Sequence, residues 1–334
     1  MKTAIVILNW NGRPMLERFL PSVVANSSTD AEIIVADNGS TDNSIDFLRS
    51  KYPSLRLITM DRNYGFAEGY NRALAQVDAE YYVLLNDDVE VTPDWDRRVV
   101  ALMDADTQIA AAQPMLKMFD NRDYFEYAGG AGGFIDKLGY PFCRGRIFST
   151  IERDTGQYED TREVFWATGA ALFVRASAWK ELGGLDGDFF AHMEEIDFCW
   201  RAKISGYKIV ATSDTQVFHV GGGTLPKSSP FKTQLNFRNN LAMLYKNLPD
   251  QRQKRVIRLR IVLDWIAALS FLAKGNWGEF CAVFKAHRQF RQWLPALRTK
   301  RAAIQPHEVD CIYRRSILVD YHLRGKKTFH ELHS

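Results

Sequence analysis

Cysteine is scarce: Cys143, Cys199, Cys281 and Cys311 are the only four, widely spaced and without a Cys-x-x-Cys pair. That excludes a cysteine-based zinc site and a disulfide framework, and it fits a reducing cytosol. Internal repeats and low-complexity tracts are missing, as is the Gly-x-Gly-x-x-Gly turn of a dinucleotide-dependent oxidoreductase. Long uncharged apolar runs are missing too. The apolar stretch that reaches Ala273 is interrupted by Arg258, Arg260 and Asp264, which makes it a poor membrane span. The apolar start, Met1–Leu8, is too short for a signal peptide, and Asn9-Trp10-Asn11 ends it, so it reads as a first strand.

What is present is a chain of 334 residues, 46% hydrophobic, enough for one large domain or one domain with an appendage. The net charge of +3 conceals an asymmetry. From Arg238 onward there are 19 Lys and Arg against 7 Asp and Glu, a balance of +12, which leaves −9 before it. Such a split suggests two regions with different partners.

Strand and helix signals alternate through the first third. Apolar runs at Thr3–Leu8, Glu32–Ala36, Leu55–Thr59, Tyr81–Leu85 and Ile109–Gln113 predict five strands. Helices are predicted from Pro14 to about Val24, around Ile45–Leu48 with Ser40 or Asp42 as cap, from about Ala67 to Gln76, and after Pro93. Short loops join them, which argues for a parallel sheet wrapped by helices. Residues 117–163 lose this periodicity and read as an insertion with short strands near the site. A strand over Gly169–Arg175, a short helix stopped by Gly183-Gly184, a helix ending near Gly206, short strands at Lys208–Ala211 and Gln216–His219, and a helix at Asn236–Leu248 follow. From Gln253 basic and apolar residues interleave. Two readings fit: an amphipathic segment on an anionic membrane surface, or a helical bundle packed on the preceding domain.

Candidate chemistry gathers at strand ends. Asn86-Asp87-Asp88 follows the apolar run Tyr81–Leu85, and ligands collect outside the carboxyl ends of strands in open α/β sheets. Carboxylates there are costly unless they hold a cation, and Mg²⁺ or Mn²⁺ bridging to a diphosphate is the natural occupant. Asp37-Asn38-Gly39-Ser40 closes another strand at the same edge, where Asp37 can accept from a base or ribose. Glu194-Glu195-Ile196-Asp197 opens a helix. It matches the helix dipole, and its aromatic approach through Phe189 and Phe190 can raise a carboxyl's pKa and prepare a base. His219 ends a strand beside Gly221-Gly222-Gly223-Thr224, glycines that permit a flexible or closely approaching segment.

With these motifs in order, and with Val6-Ile7-Leu8-Asn9-Trp10-Asn11, Asn63-Tyr64-Gly65-Phe66-Ala67 and Gly169-Ala170 added, the chain resembles a family 2 inverting glycosyltransferase, most like bacterial rhamnosyltransferase-type members. The resemblance covers roughly Thr3 to Leu248. It implies the GT-A fold of nucleotide-diphospho-sugar transferases: a mostly parallel central sheet flanked by helices, as a domain over 1–248, with a basic, aromatic helical extension over 249–334.

It also implies roles. Asn9 and Asp37 would hold the base and ribose of the donor, with Asn63, Gly65, Phe66 and Asn71 as a second nucleotide-contacting segment. Asn86-Asp87-Asp88 matches the family's Asp-x-Asp motif, with Asp88 at the metal-contacting position and Asn86 in place of the first aspartate. His219 matches a histidine that joins the metal in some relatives. Glu194-Glu195 matches a Glu-Asp pair whose second member is the catalytic base, which leaves Glu195, Glu194 and Asp197 as candidates. Trp166 and Gly169 would line the acceptor side. The implied activity is hexosyl transfer, with inversion, from a UDP-, dTDP- or GDP-linked sugar to a saccharide or lipid-linked glycan in cell-surface polysaccharide synthesis. The expected place is the cytoplasm, peripheral on the inner face of the cell membrane if the tail binds lipid. No nucleic-acid partner is expected. A catalytically silent nucleotide-sugar-binding or scaffold protein is the alternative, weakened by the intact acidic clusters. A sugar nucleotidyltransferase ranks below it, because Asn9-Trp10-Asn11-Gly12-Arg13 replaces that family's glycine-rich loop.

Overall fold

A computed structural model describes residues 1–221 and 229–333. The start of the chain alternates as its periodicity predicts: β1 (Thr3–Asn9), α1 (Arg13–Asn26), β2 (Ala31–Asp37), α2 (Ser44–Lys51), β3 (Arg56–Thr59), α3 (Gly65–Leu74), β4 (Tyr81–Asn86), β5 (Val89–Val91), α4 (Trp95–Ala105) and β6 (Ile109–Met118). β1 and β4 are almost wholly buried because helices cover both sheet faces, which is why their sequences are continuous apolar runs. The cap expected for α2 differs in detail. Asn43 sits at the cap position, Asp42 accepts from the Ser44 amide at 3.0 Å, and the Ser40 hydroxyl turns to Asn9 and the Asn11 amide.

The main sheet runs β11-β13-β6-β12-β4-β1-β2-β3, where β11 is Thr161–Glu163, β12 is Ala171–Arg175 and β13 is Lys208–His219. Only part of it is parallel. β12 lies antiparallel between β4 and β6, so the sheet is mixed. The two short strands expected around 208–219 are one strand, with its register shifted between Thr212 and Gln216. Between β6 and β11 lie β7 (Gly133–Asp136), β8 (Pro141–Cys143), β9 (Arg146–Ile147) and β10 (Thr150–Ile151), which form a second sheet. After β12 come α5 (Ala176–Leu182), stopped by Gly183 in the left-handed region, and α6 (Glu194–Ile204).

The helices α7 (Pro230–Asn247), α8 (Asp250–Ala273) and α9 (Trp277–Ile304) pack on this body, and the chain then crosses the second sheet. There β14 (Ile312–Tyr313) pairs with β7, and α10 (Ile317–His322) and α11 (Phe329–His333) follow. Phe329 of α11 packs against Phe134, Phe142 and Tyr158 of the insertion. The bundle expectation for residues 249–334 therefore describes much of that region, and the insertion and the tail share one sheet. Among the described residues no helix is long and apolar enough to cross a membrane.

A buried ionic cluster ties these parts together. Asp197 of α6 accepts from Arg201 Nε at 2.9 Å, Lys246 Nζ at 2.9 Å and Asn247 Nδ2 at 2.8 Å. Lys246 also reaches Asp186 at 2.6 Å, and Lys300 of α9 pairs with Asp186 and Asp188. Burial pushes the Asp186 carboxyl up, but the ammonium groups of Lys246 and Lys300 outweigh it and hold it down, at about 2. Removing Lys246 leaves two buried carboxylates short of a cation. Lys246→Ala should therefore lower unfolding stability by about 3–5 kcal/mol, read from the urea midpoint. A change under about 1 kcal/mol would mean that the cluster is not holding α6 to α7.

Candidate active site

The carboxyl ends of β1, β2 and β4 meet at one edge. Parallel register sets Asn9 beside Asp37 and Leu8 beside Asn86. Asn9 and Asp37 are fully buried, and Asn9 Nδ2 donates to Asp37 Oδ2 at 2.8 Å and Ser40 Oγ at 3.0 Å. Asp37 Oδ1 accepts from the Ser40 amide at 2.9 Å. Asn9 Oδ1 is buried without a partner. Gly12 admits Asp87 here: a Cβ on it would lie 2.1 Å from Asp87 Oδ2 and 2.6 Å from Asn9 Oδ1. Burial, together with the neighbouring Asp88 charge, pushes the Asp87 carboxyl up, to about 7.

The second nucleotide segment is fastened to this edge by Asn38, whose amide donates to Asn63 Oδ1 at 3.1 Å and the Gly65 carbonyl at 2.9 Å, and accepts from the Tyr64 amide at 3.0 Å. Gly65, at φ +77°, must be small and left-handed because the Phe190 ring and carbonyl lie against it. Asn71 points elsewhere. Its amide donates to the Leu185 carbonyl at 2.9 Å and accepts from the Leu185 amide at 3.0 Å, so it clamps the loop after α5.

Asp88 and His219 come together. β5 pairs with β13 so that Val89 faces His219, and His219 Nε2 lies 3.0 Å from Asp88 Oδ1 and 3.3 Å from Asn86 Nδ2. On the other side of the ring, Nδ1 lies 3.3 Å from Glu126 Oε1. Glu126 is buried in the insertion and accepts from the Ala128 amide through its other oxygen. Burial pushes the His219 imidazole down, but the Glu126 and Asp88 carboxylates outweigh it and raise it, to about 10. Among the described residues no three His, Cys, Asp or Glu side chains converge as a metal cage. Gly222, Gly223 and Thr224, expected to lend flexibility here, lie outside the described residues.

The acidic cluster of α6 divides in two. Asp197 belongs to the ionic cluster above, with both oxygens occupied. Glu194 Oε2 and Glu195 Oε2 are buried without a hydrogen-bond partner. Burial holds both carboxyls up, Glu195 to about 7 and Glu194 well above its ordinary value, with the Glu195 charge adding to the push on Glu194. The approach to them is strained: Phe190, His192 and Met193 have φ of 66°, 72° and 74°. Asn239 Nδ2 of α7 donates to the carbonyls of Phe189, Ala191 and His192 at 2.8–2.9 Å, and Arg238 reaches the Phe189 carbonyl at 3.1 Å. The Phe190 carbonyl accepts from the Phe66 and Ala67 amides, which ties the strained loop to the start of α3.

Residues 4–182 match the family described as glycosyl transferase family 2, more than half of the chain. The chain belongs to this family. An N-acetylglucosaminyl-diphospho-decaprenol L-rhamnosyltransferase of Mycobacterium tuberculosis is 29% identical over 233 residues, 64% of this chain and 75% of that protein. A hexosyltransferase of low-salt glycan biosynthesis, Agl10 of Haloferax volcanii, is 22% identical over 71% of this chain and 73% of its own length. Among solved structures, S. aureus TarS 1–349 in complex with UDP-GlcNAc aligns with a TM-score of 0.58 at 16% identity, covering 91% of this chain and 86% of that one. GalNAc-T7 with UDP, GalNAc and Mn²⁺ aligns at 0.58 and 16%, over 75% of this chain and 48% of that one. These likenesses carry the GT-A fold, and the family makes the protein a glycosyltransferase.

In this glycosyltransferase Gly169 and Ala170 join the two halves of the site. The Ala170 carbonyl accepts from the Asn86 amide at 3.0 Å. A Cβ on Gly169 would lie 3.1 Å from the Phe66 ring and 3.9 Å from Glu195 Cβ. Trp166, expected on the acceptor side, is instead buried behind the site, its indole N–H given to the Phe134 carbonyl at 2.9 Å and its ring packed on Gly133. Its bulk is satisfied by the insertion core, which leaves no face for a ligand. Glu126, Arg238 and Asn239 carried no signal in the sequence, because each acts on a residue nearly 50 or more positions away. Asn239→Ala should lower kcat by about 10–100-fold, since ~1 Å of misplacement at a reacting group can cost ~10²-fold. Steady-state kinetics beside a donor Kd checks this; an unchanged kcat would show that the strained turn holds without the strap.

Proposed function

We propose that the protein is an inverting transferase that moves a hexose from a nucleoside-diphosphate donor to a hydroxyl of a lipid-linked glycan at a membrane face. The observation that carries this is the Glu194–Glu195 pair, each carboxyl with one buried oxygen that has no hydrogen-bond partner, joined through Gly169-Ala170 to the Asn86–Asp88 edge. The lipid-linked acceptor is supported by the relative named above as acting on a decaprenol-linked sugar.

The donor's base and ribose lie at the Asn9–Asp37 edge and the Asn63–Phe66 segment. The unsatisfied Asn9 Oδ1 awaits a donor group there. Its diphosphate lies toward Asp88. The fit to a divalent ion rests on chemistry: the Asp88 carboxylate and the His219 imidazole lie 3.0 Å apart, a carboxylate suits Mg²⁺ or Mn²⁺, and the imidazole favours the transition metal of the two. Asp88 and His219 would hold the ion, with Glu126 fixing the ring from behind. When bound, it would neutralise charge on the departing diphosphate. Calorimetric titration of Mn²⁺ with nucleoside diphosphate present should show at least about a tenfold loss of affinity in Asp88→Ala, the least that even an outer-shell substitution typically costs. Equal affinity would remove the metal assignment.

Glu195 takes the acceptor hydroxyl's proton as its oxygen attacks the anomeric carbon. The bond from that carbon to the diphosphate oxygen breaks in the same displacement, so the configuration inverts. Glu194 orients the pair, and Asp197 braces the helix. Because Glu195 accepts a proton only when ionised, and its carboxyl is held up at about 7, kcat should climb through neutral pH and fall about tenfold per unit below it. Glu195→Gln should keep donor affinity, lose about 10²–10⁴-fold in kcat and abolish that limb. Near-normal turnover in Glu195→Gln beside a dead but folded Glu194→Gln would move the base to Glu194.

A further inference from the structure

α8 is built inside out. The face it turns to the protein carries Gln253, Arg260 and Asp264 beside Val256 and Ala268. Asp264 pairs with His287 of α9 at 3.0 Å, and Arg260 donates to the Leu138 carbonyl at 2.9 Å and covers the Tyr140 ring. The face it turns outward carries Leu259, Val262, Trp265, Ile266, Leu269 and Leu272, all exposed, with Val262, Ile266 and Leu269 at 56%, 58% and 60%. A helix on a water-facing surface has the opposite arrangement. At the hairpin end the apolar surface continues onto α9 through Trp277, Phe280 and Phe284, linked ring to ring and to Trp265. A contiguous apolar surface of this kind marks an interaction site.

Charge says what covers it. Arg255 and Arg258 lie on α8 behind the apolar stretch, Arg288 and Arg291 on α9 behind Phe284, and Lys274 and Lys285 near the turn. All six are exposed, and none has an acidic partner among the described residues. An apolar face rimmed by free cations matches the boundary between acyl chains and anionic headgroups. A symmetric contact with a second copy would set these six cations against the same six.

The hairpin is also joined to the site. Gly278 packs against Pro230 at the start of α7, Phe271 lies against Phe237, and Phe231 lies against Phe190, whose carbonyl anchors the start of α3 beside Glu194 and Glu195. We infer that the α8–α9 hairpin docks on an anionic bilayer through its outward apolar face, and that docking turns the acceptor side of the site, at the Phe190 loop, toward the membrane. The orientation rests on the lipid-linked acceptor proposed above; the docking does not.

The test uses the full chain. Sedimentation with vesicles of phosphatidylglycerol and phosphatidylcholine, without substrate, should bind the wild type and release it as salt rises, since screening weakens the cation contacts. Pure phosphatidylcholine should bind it less. A variant with V262D, I266D and L269D alters only exposed side chains, and should keep its melting temperature while losing at least about tenfold in vesicle partitioning. Its transfer to a short, water-soluble acceptor should be unchanged, whereas transfer to a vesicle-borne lipid acceptor should fall with binding. Undiminished vesicle binding by the folded variant overturns the docking. So does a wild-type dimer that the substitutions dissociate, with no vesicle binding by either protein. Lost binding with undiminished transfer to the vesicle-borne acceptor overturns the orientation. Wild-type binding without transfer to any lipid acceptor leaves the docking standing and removes the acceptor assignment instead.

Discussion

Burial and a free oxygen raise a carboxyl's pKa toward neutrality, and a carboxyl with few hydrogen bonds of its own must be held in place by its surroundings. The first turn of α6 solves this by dividing three carboxylates. Asp197 accepts from Arg201, Lys246 and Asn247, and pins the helix to α7. Glu194 and Glu195 take none at their buried oxygens. The strained residues before them are held by Asn239 from the same helix that supplies Lys246 and Asn247. α7 therefore acts on both sides of the pair, through Lys246 and Asn247 on Asp197 and through Asn239 on the strained turn.

The donor edge follows a different logic. Its polar groups sit on strand ends whose register is set by a buried parallel core, and they bond chiefly to one another: Asn9 to Asp37, Asn38 to Asn63 and Gly65, Asn86 and Asp88 to His219. Such an edge is organised before any ligand arrives, so little ordering is needed on binding. What is left unsatisfied there is Asn9 Oδ1, the buried oxygen on which the proposed donor site rests.

The strand ends were legible in the sequence because a buried parallel strand writes itself as an apolar run, and the polar residues that stop the run gather at one edge as the candidate site. The strand β12 was legible over Gly169–Arg175, but its antiparallel direction was not, since residues 117–163, which carry no period, decide where the chain re-enters the sheet. Nor can sequence separate Asp197 from Glu195. Both are carboxylates in one helical turn, and their difference lies in Lys246 and Asn247, about 50 residues on. Trp166 and Asn71 show the reverse case. Residues that match a motif are turned by their neighbours, Phe134 and Leu185, into supports. α8 escaped for a related reason. Its interleaved basic and apolar residues suit either a membrane face or a packed helix, and only the inward Arg260–Asp264–His287 group shows which residues turn to the protein.

The family match ends at residue 182, before Glu194, His219 and the hairpin. The matched part builds the donor edge, where every relative using a nucleoside diphosphate faces the same chemistry. The part beyond it supplies the proposed base, one proposed metal ligand, the strap from α7 and the outward face of α8. Within the matched segment, Gly169-Ala170 is the stretch that touches both halves, with one backbone carbonyl on Asn86 and one glycine face on Phe66 and Glu195. A side chain at Gly169 would press on Phe66, so the joint between donor and acceptor chemistry leaves little room for one. If the proposed division holds, exchange of acceptor is to be sought downstream of that joint, in α6, α7 and the hairpin, with the strand-end edge left as it is.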